Sequence, residues 1–151
     1  MLDRIDSRLL SALQSNAHTS AADLGDILNL SASQAARRRQ RLEAEGYITG
    51  FTARLDPLRL GLTVQAFVQV SMATHSDRNA QAFRTLIRAR PEVVSAWTLT
   101  GEADYLLRIY CDDLAALNVL IQEVLLPHEA VARVQSQIVM DQTKSDAPLP
   151  L

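Results

Sequence analysis

The chain has 151 residues, 48% hydrophobic and 21% charged, a balance typical of one ordinary folded domain or two small ones. No apolar run approaches the roughly 18 residues that a transmembrane helix needs, and the charged N-terminus lacks a signal-peptide core. The single cysteine, Cys111, excludes an internal disulfide, and no cysteine–histidine cluster indicates zinc. We therefore expect a cytoplasmic protein that does not associate with a membrane and needs no metal or other cofactor.

Positive charge is concentrated in one short segment of an acidic chain. The formal net charge is −2, and residues 1–54 carry +1 whereas residues 55–151 carry −3. Four arginines fall within five positions: Arg37, Arg38, Arg39 and Arg41. We expect this segment to bind a polyanion with an affinity that depends strongly on salt.

The first 46 residues have the pattern of three short helices. Residues 2–15 predict a helix with Asp3 as its N-cap and an apolar stripe formed by Ile5, Leu9, Ala12 and Leu13. Two capping-box pairs begin the other helices, Ser20 with Asp23 and Ser31 with Gln34. A short turn at residues 28–30 separates them, and Gly46 follows the last helix where a left-handed residue is favoured. Residues 20–46 are therefore predicted to form a helix-turn-helix.

The third helix has one apolar and one polar face at about 100° per residue. Ala35 and Leu42 point inward, and their expected neighbours on the preceding helix are Leu24, Ile27 and Leu28. The outward face consists of Ser33, Arg37 and Arg41, with Gln34 and Arg38 on its flank. Arginine hydrogen-bonds guanine bidentately and glutamine does so to adenine, so this face predicts a helix that reads the major groove of DNA. The alternative is an ordinary solvated basic face.

Arg39 departs from this pattern. It lies near the middle of the inward face, where a branched apolar residue is expected. Either its guanidinium extends past the partner helix to reach solvent, or the helix is rotated from the assignment above. Both interpretations are consistent with the sequence.

After Gly46 the helical periodicity gives way to alternation. Residues 47–55 predict a short strand, and residues 56–62 a connector. The elements that follow are a strand at 64–72, a helix at 77–90, strands at 93–100 and 105–111, a helix at 114–124 capped by Asp112 or Asp113, and a strand at 131–140. This order predicts a ferredoxin-like βαββαβ domain, with both helices on one face of an antiparallel sheet. The other face is left uncovered, which favours a homodimer.

The loop between the two central strands of this order, residues 100–104, is the best candidate for a small-molecule site. Gly101 allows close approach of the backbone, and successive N–H groups there suit a carboxylate. Asp104 or Glu102 suits an ammonium group, so together these groups predict an α-amino acid. The alternative is an ordinary hairpin turn, in which glycine and aspartate are also common.

Taken together, these motifs resemble the Lrp/AsnC family, the leucine-responsive and asparagine-responsive bacterial transcription regulators. The resemblance covers nearly the whole chain. It is carried by residues 2–6, 30–33, 37–38, 41–43, 46–48, 55–57, 61–62, 100–107 and 147–151. The chain departs from the family at Ala32 or Gln34, where many members have proline, and at Arg39, where they have an aliphatic residue. These departures bear on which bases are read.

The resemblance implies an α+β chain with three parts: a winged helix-turn-helix at 1–55, the connector at 56–62, and a ferredoxin-like effector and oligomerisation domain at 63–151. It implies dimers that assemble into tetramers or octamers on a pseudo-palindromic operator in the bacterial nucleoid. The implied DNA-binding residues are Ser31, Ser33, Gln34, Arg37, Arg38 and Arg41. The implied effector-binding residues are Thr100, Gly101, Glu102, Asp104 and Tyr105.

Two other functions are compatible with the resemblance. Siroheme decarboxylases share the fold but use histidines at a tetrapyrrole pocket, whereas His18, His75 and His128 are isolated here and are expected to be solvated. The sequence contains no nucleophile triad or phosphate loop, so we do not expect an enzyme. An architectural protein that wraps DNA without an effector would keep the same arginines.

Overall fold

A computed structural model describes residues 2–73 and 76–151 and divides the chain into two compact units. The first unit contains the chain up to Arg54 together with Thr143–Leu151, and the second contains Leu55–Gln142. The last nine residues, which the sequence analysis joined to the C-terminal domain, therefore pack in the first unit. None of the helices in the described ranges combines the length and apolarity needed to cross a bilayer.

Three helices form the first unit: α1 (Arg4–Ser15), α2 (Ala21–Leu28) and α3 (Ala32–Ala44). Each begins with a capping box, in which an N-cap side chain and the side chain three residues later satisfy each other's backbone N–H groups. The pairs are Asp3 with Asp6, Ser20 with Asp23 and Ser31 with Gln34. The predicted N-caps are thus confirmed, because their side chains satisfy donors that a helix start leaves unpaired.

The turn between α2 and α3 is tight because Asn29 adopts a left-handed conformation with φ of 57°. The backbone N–H of Leu30 then donates to the carbonyl of Gly25 at 2.9 Å. A Cβ atom at Gly25 would lie 2.7 Å from the Leu30 carbonyl oxygen, so only glycine fits under this turn. At the end of α3, Gly46 is left-handed as predicted, with φ of 77°.

The core of the first unit lies between the three helices, and its buried residues are Leu9, Leu10, Leu13, Leu24, Leu28, Ala35 and Leu42. Ala35 and Leu42 are fully buried, which confirms the predicted inward face of α3. The prediction for Ile27 is wrong, because its side chain is 44% exposed. Leu24 and Leu28, one helical turn apart, form the buried edge of α2, and Ile27 lies beside that edge.

The segment after α3 does not form the strand predicted at residues 47–55. Extended backbone becomes a strand only when a neighbouring segment pairs with it, and the described residues supply no such partner. The C-terminal tail is instead held by a side chain of α1. The amide of Gln14 donates to the carbonyl of Leu149 at 3.1 Å and accepts from its N–H at 2.6 Å.

In its described residues, the second unit contains a 3-10 turn (Leu58–Leu60), a four-stranded antiparallel sheet in the order β2-β3-β1-β4, and two α-helices. Its strands are β1 (Val64–Met72), β2 (Val93–Thr98), β3 (Tyr105–Cys111) and β4 (Val131–Ile138). Its helices are α4 (Asp77–Arg88) and α5 (Leu114–Val119), and α5 continues as a π-helical turn at Leu120–Leu125. Asp113 is the N-cap of α5, with its side chain accepting from the N–H of Ala116 at 2.7 Å. This order is that of the predicted ferredoxin-like fold.

Alternation along β1 and β3 separates the two faces of the sheet. One face is buried against α4 and α5, where Phe83 and Leu117 lie in the same core as Val68 and Leu107. The other face carries half-buried residues of β1 and β3, among them Phe67 and Leu106. Neither helix of this unit covers it, as the sequence analysis expected.

Candidate DNA interface and effector loop

The outward face of α3 is formed by short polar side chains and a single arginine without an acidic partner. Ser33, Arg37 and Gln40 are all exposed, and they share this face because they lie four and three residues apart. No hydrogen bond or ion pair involves the Arg37 side chain within residues 2–73 and 76–151. Gln40 was missed from the sequence, although its spacing from Arg37 places it on the same face.

Ser31 and Gln34 lie at the start of α3, where they form its capping box. The Gln34 Oε1 atom accepts from the N–H of Ser31 at 3.0 Å, and the N–H of Gln34 donates to the Ser31 Oγ at 3.2 Å. The hydroxyl of Ser33 lies 3.1 Å from that of Ser31. All three side chains are exposed at a helix N-terminus, where backbone N–H groups favour an anion such as phosphate.

Arg38 and Arg41 are engaged by carboxylates of α1. The Arg38 Nη1 atom donates to Asp6 Oδ1 and to Asp3 Oδ2, each at 2.7 Å. The Arg41 Nη2 atom donates to the other carboxylate oxygen of Asp6. Arg41 was predicted to lie beside Arg37 on the outward face, whereas its guanidinium turns toward α1. Asp6 was not anticipated as its neighbour, because pairing across 35 positions leaves no local pattern.

Asp6 is the centre of this cluster, and its side chain is 1% exposed. Burial by itself would raise the pKa of Asp6. Hydrogen bonds from Arg38, from the N–H of Asp3 and from Arg41 outweigh that effect, so the net shift lowers the pKa. Hydrogen bonds to the carboxylates of Asp3 and Asp6 raise the pKa of Arg38. The two carboxylates and the two guanidiniums of this cluster therefore largely neutralise one another.

Arg39 lies on the opposite flank of α3 from Arg38. Its guanidinium carbon is 4.8 Å from the centre of the Phe51 ring, and its Nε donates to Glu43 at 2.8 Å. The helix is not rotated, because Ala35 and Leu42 are buried as assigned. Of the two interpretations, the first is therefore correct: the side chain extends outward, over an aromatic residue.

The predicted effector loop is attached to the end of β1. The Asp104 carboxylate accepts from the N–H of Met72 at 2.6 Å. The backbone N–H of Asp104 donates to the carbonyl of Val70 at 3.0 Å. The Ser71 hydroxyl donates to the carbonyl of Glu102 at 3.2 Å. Gly101 has φ of 115°, a conformation that favours glycine, and a Cβ atom there would meet no described atom within 4 Å.

Asp104 and Tyr105 line a cavity of about 260 Å³, whose other walls are Met72, Ser76, Asp77, Ala80, Thr98 and Leu99. Thr100, Gly101 and Glu102 are exposed and do not line this cavity. Tyr105 is buried, with its ring centre 4.8 Å from that of Phe83. The start of α4, where Ser76 and Asp77 line the cavity, was missed from the sequence. The pairing of Val70 with Tyr105 brings the end of β1 to this loop. The cavity combines carboxylates with apolar walls, which suits a small molecule with an ammonium group.

The two histidines that the structure describes, His18 and His128, have different surroundings. His18 is exposed, as expected, and His75 lies outside the described residues. His128 is partly buried rather than solvated: its Nδ1 accepts from the N–H of Ala130 at 3.2 Å, and its ring lies edge-on to Phe83 at 5.6 Å. Within the described ranges, no three histidine, cysteine or acidic residues come together as a metal site.

Two successive parts of the chain match two protein families. Residues 2–49 match the family described as winged helix-turn-helix DNA-binding, and residues 65–149 match the Lrp/AsnC ligand binding domain. These matches and the sheet order confirm the predicted α+β class with a winged helix-turn-helix followed by a ferredoxin-like domain.

The chain is similar along its length to bacterial regulators. It is 33% identical to the DNA-binding transcriptional activator DecR of Escherichia coli K12 over 151 residues, which is 100% of this chain and 99% of DecR. It is 36% identical to the Bkd operon transcriptional regulator of Pseudomonas aeruginosa over 150 residues, covering 99% and 98% of the two chains.

A solved structure matches both parts of the fold. The transcriptional regulator of Neisseria meningitidis crystallised as a complex with L-Met superimposes with a TM-score of 0.94 at 34% identity. The match covers 99% of this chain and 97% of that one. Relatives with this architecture are thus named as regulators rather than as enzymes.

Proposed function

The chain belongs to the Lrp/AsnC family of transcriptional regulators, and we propose that it binds operator DNA through the outward face of α3. The observation that carries this proposal is Arg37. It is the one arginine of α3 that has no acidic partner among the described residues, and it is exposed on the face that points away from the core. An unpaired guanidinium there can hydrogen-bond a guanine edge bidentately.

The other predicted residues support this docking in different ways. Ser31, Ser33 and Gln34 at the N-terminus of α3 suit a phosphate, which fixes the register of a helix on the duplex without reading sequence. Arg38 and Arg41 are held by Asp6, so we assign them no base contact. Gln40 lies beside Arg37 and is an additional candidate for base contact.

The test for this interface compares two arginines of the same helix. A preferred duplex is first selected from a random 30-bp library, and Arg37→Ala and Arg39→Ala are then titrated against it. Loss of a bidentate contact costs about 1–3 kcal/mol, so Arg37→Ala should weaken binding roughly 5- to 150-fold. Arg39→Ala removes the same charge from the opposite flank and should have a much smaller effect. If Arg37→Ala binds like the parent, α3 is not the reading helix.

The second unit is a ligand-binding domain, and the cavity beside Asp104 is its proposed site. Asp77 and Asp104 suit the ammonium group of an amino acid, while Met72, Leu99 and Tyr105 suit an apolar side chain. The Neisseria meningitidis relative was crystallised with L-Met, which supports an amino acid as the class of ligand.

Thermal unfolding in the presence of each of the twenty amino acids tests this site, with and without the selected duplex. We expect one amino acid or a small group to raise the Tm and to change DNA affinity. Asp104→Asn should remove the response, and Glu102→Gln should keep it because Glu102 does not line the cavity. Absence of any response in the parent would favour the architectural alternative.

The assembly and location of the protein follow from the same proposal. The half-buried face of the sheet, with Phe67 and Leu106, suits pairing with a second copy, and such dimers can associate into tetramers or octamers. A twofold dimer requires a pseudo-palindromic operator with half-sites one helical turn or a multiple apart. A DNA-binding regulator acts in the cytoplasm at the nucleoid. Sedimentation at several protein concentrations, with Phe67→Lys as the variant, tests the assembly.

A further inference from the structure

The α3 helix carries four arginines, but most of their charge is already neutralised within the first unit. Asp6 accepts hydrogen bonds from both Arg38 and Arg41, and Asp3 accepts a second one from Arg38. Arg39 is paired with Glu43 at 2.8 Å. A count of arginines in the sequence therefore overstates the charge that this helix offers to a phosphate backbone.

The Asp6 carboxylate is also positioned to hold the arginines back from DNA. Its side chain is 1% exposed, whereas those of Arg38 and Arg41 are 28% and 44% exposed. The two guanidiniums thus lie at the surface with their inner N–H groups directed at a buried anion. A phosphate can recruit them fully only by competing with that anion.

We propose that Asp6 is a specificity-determining residue, which withholds Arg38 and Arg41 from DNA phosphates and leaves discrimination to Arg37. This inference rests on the proposed function, in which α3 contacts DNA. Phosphate contacts supply nearly all of non-specific affinity, and base contacts supply sequence preference. A carboxylate that sequesters two cations weakens the phosphate contacts but leaves the base contacts unchanged. It therefore raises the ratio of specific to non-specific binding.

The central experiment replaces Asp6 by Asn, which keeps the size of the side chain and one acceptor oxygen but removes its charge. Binding of Asp6→Asn is measured against the selected duplex and a scrambled duplex between 50 and 200 mM salt. We expect tighter binding to the scrambled duplex and a lower ratio of specific to non-specific affinity. Each added phosphate contact should deepen the loss of affinity over this salt range by about 3- to 4-fold.

Asp26→Asn is the matched control. Asp26 is exposed on α2, and its carboxylate forms no hydrogen bond or ion pair with an arginine among the described residues, so the control changes the net charge equally without releasing an arginine. A variant that combines Asp6→Asn with Arg38→Gln and Arg41→Gln should return the salt dependence to that of the parent. That restoration separates released arginines from a general change in charge.

Asp6→Asn overturns the proposal if it folds and its salt dependence equals that of Asp26→Asn, because Asp6 is then purely structural. If circular dichroism shows that Asp6→Asn does not fold, Asp3→Asn decides. Asparagine is as good an N-cap as aspartate, so this variant keeps α1 and releases one of the two contacts of Arg38. If the salt dependence of Asp3→Asn is steeper than that of the parent, by less than in a fully released cluster, the proposal is supported. If its salt dependence equals that of the parent, the proposal is overturned.

Failure of this inference is distinguishable from failure of the proposed function. If Arg37→Ala binds both duplexes like the parent, α3 does not read DNA. If Arg37→Ala loses specific binding while neither Asp6→Asn nor Asp3→Asn changes the salt dependence, α3 reads DNA and only the role of Asp6 is wrong.

Discussion

Asp6 in the first unit and Asp104 in the second both tie two elements together at a candidate site, but their partners differ in kind. Asp6 joins α1 to α3 through two charged guanidiniums, and its carboxylate is almost fully buried. Asp104 joins the effector loop to β1 through a neutral backbone N–H, and it is only partly buried. The first carboxylate accepts from charged groups, whereas the second accepts from an uncharged backbone group.

This difference determines what remains for a ligand. At Asp6 both oxygens already accept from arginine, so the carboxylate shapes the interface without contacting DNA. Asp104 lies at a cavity wall, and its carboxylate accepts there from the uncharged N–H of Met72. One aspartate therefore acts through its neighbours, and the other is suited to direct contact with an ammonium group.

The strongest test of the comparison removes one arginine from Asp6. Arg38→Ala leaves the buried carboxylate with Arg41 alone, and we expect the free energy of unfolding to fall by about 1–2 kcal/mol. This is less than for a deeply buried pair, because both arginines remain partly exposed. Urea unfolding measures the change. Arg37→Ala is the control and should stay within about 0.5 kcal/mol of the parent; equal effects of the two variants would contradict the charge network.

Acid should reduce the stability that the Asp6 cluster contributes to the first unit. The pKa of Asp6 is lowered from 3.8, so its stabilising contribution is complete above that value and is lost as the pH falls through the lower pKa of the folded state. We expect the Tm of the parent to drop below about pH 4. In Asp6→Asn this part of the drop should be absent, whereas Asp26→Asn should follow the parent. Parallel curves for all three proteins would place the acid sensitivity elsewhere.

Truncation of Asp104 should lower the free energy of unfolding by less than truncation of Arg38. Asp104→Ala removes the acceptor for the Met72 N–H, and we expect a loss of about 1 kcal/mol in urea unfolding. Asp104→Asn keeps an acceptor oxygen and should be closer to the parent, although both variants lose the amino-acid response. If the two substitutions destabilise equally, the hydrogen bond to Met72 is not what holds the loop.

The smallest effect is expected on the other flank of α3, where Arg39 covers an aromatic ring. Phe51→Leu keeps an apolar surface and removes the cation–π contact, so we expect a loss of about 0.5 kcal/mol. Thermal unfolding of Phe51→Leu in the parent and in Arg39→Gln gives the coupling between the two residues. Additive effects would mean that the contact contributes nothing measurable.

The features that the sequence predicted correctly depend on local patterns. The bounds of β1 and β3 match the predicted ones. Alternation of apolar and polar side chains indicates where a strand runs, and polar or turn residues mark its ends. The capping boxes of α2 and α3 were also predictable, since each needs only two residues three positions apart. Helix ends were less accurate: α4 ends at Arg88 rather than Arg90, because Pro91 limits how far a helix runs without fixing its last turn.

Features that depend on distant partners could not be predicted. The sequence places Arg41 on a solvated face, but it does not reveal that Asp6 lies within reach of it. The strand expected at residues 47–55 is absent for the same reason, since pairing needs a neighbour that local pattern does not specify. At the effector loop the sequence predicted Asp104 and Tyr105 as site residues. That the end of β1 lies beside this loop follows only from the register of the sheet, which a local pattern does not specify.

The packing of residues 143–151 in the first unit has a consequence for synthesis of the protein. The ribosome completes the three helices early, but residues 55–142 must be translated before the tail that packs with those helices exists. At about 5–20 residues per second, that interval lasts roughly 4–18 seconds. During it the nascent helices expose the surface of Gln14 that later binds Leu149, so the last step in assembling the DNA-binding unit is the arrival of its own tail.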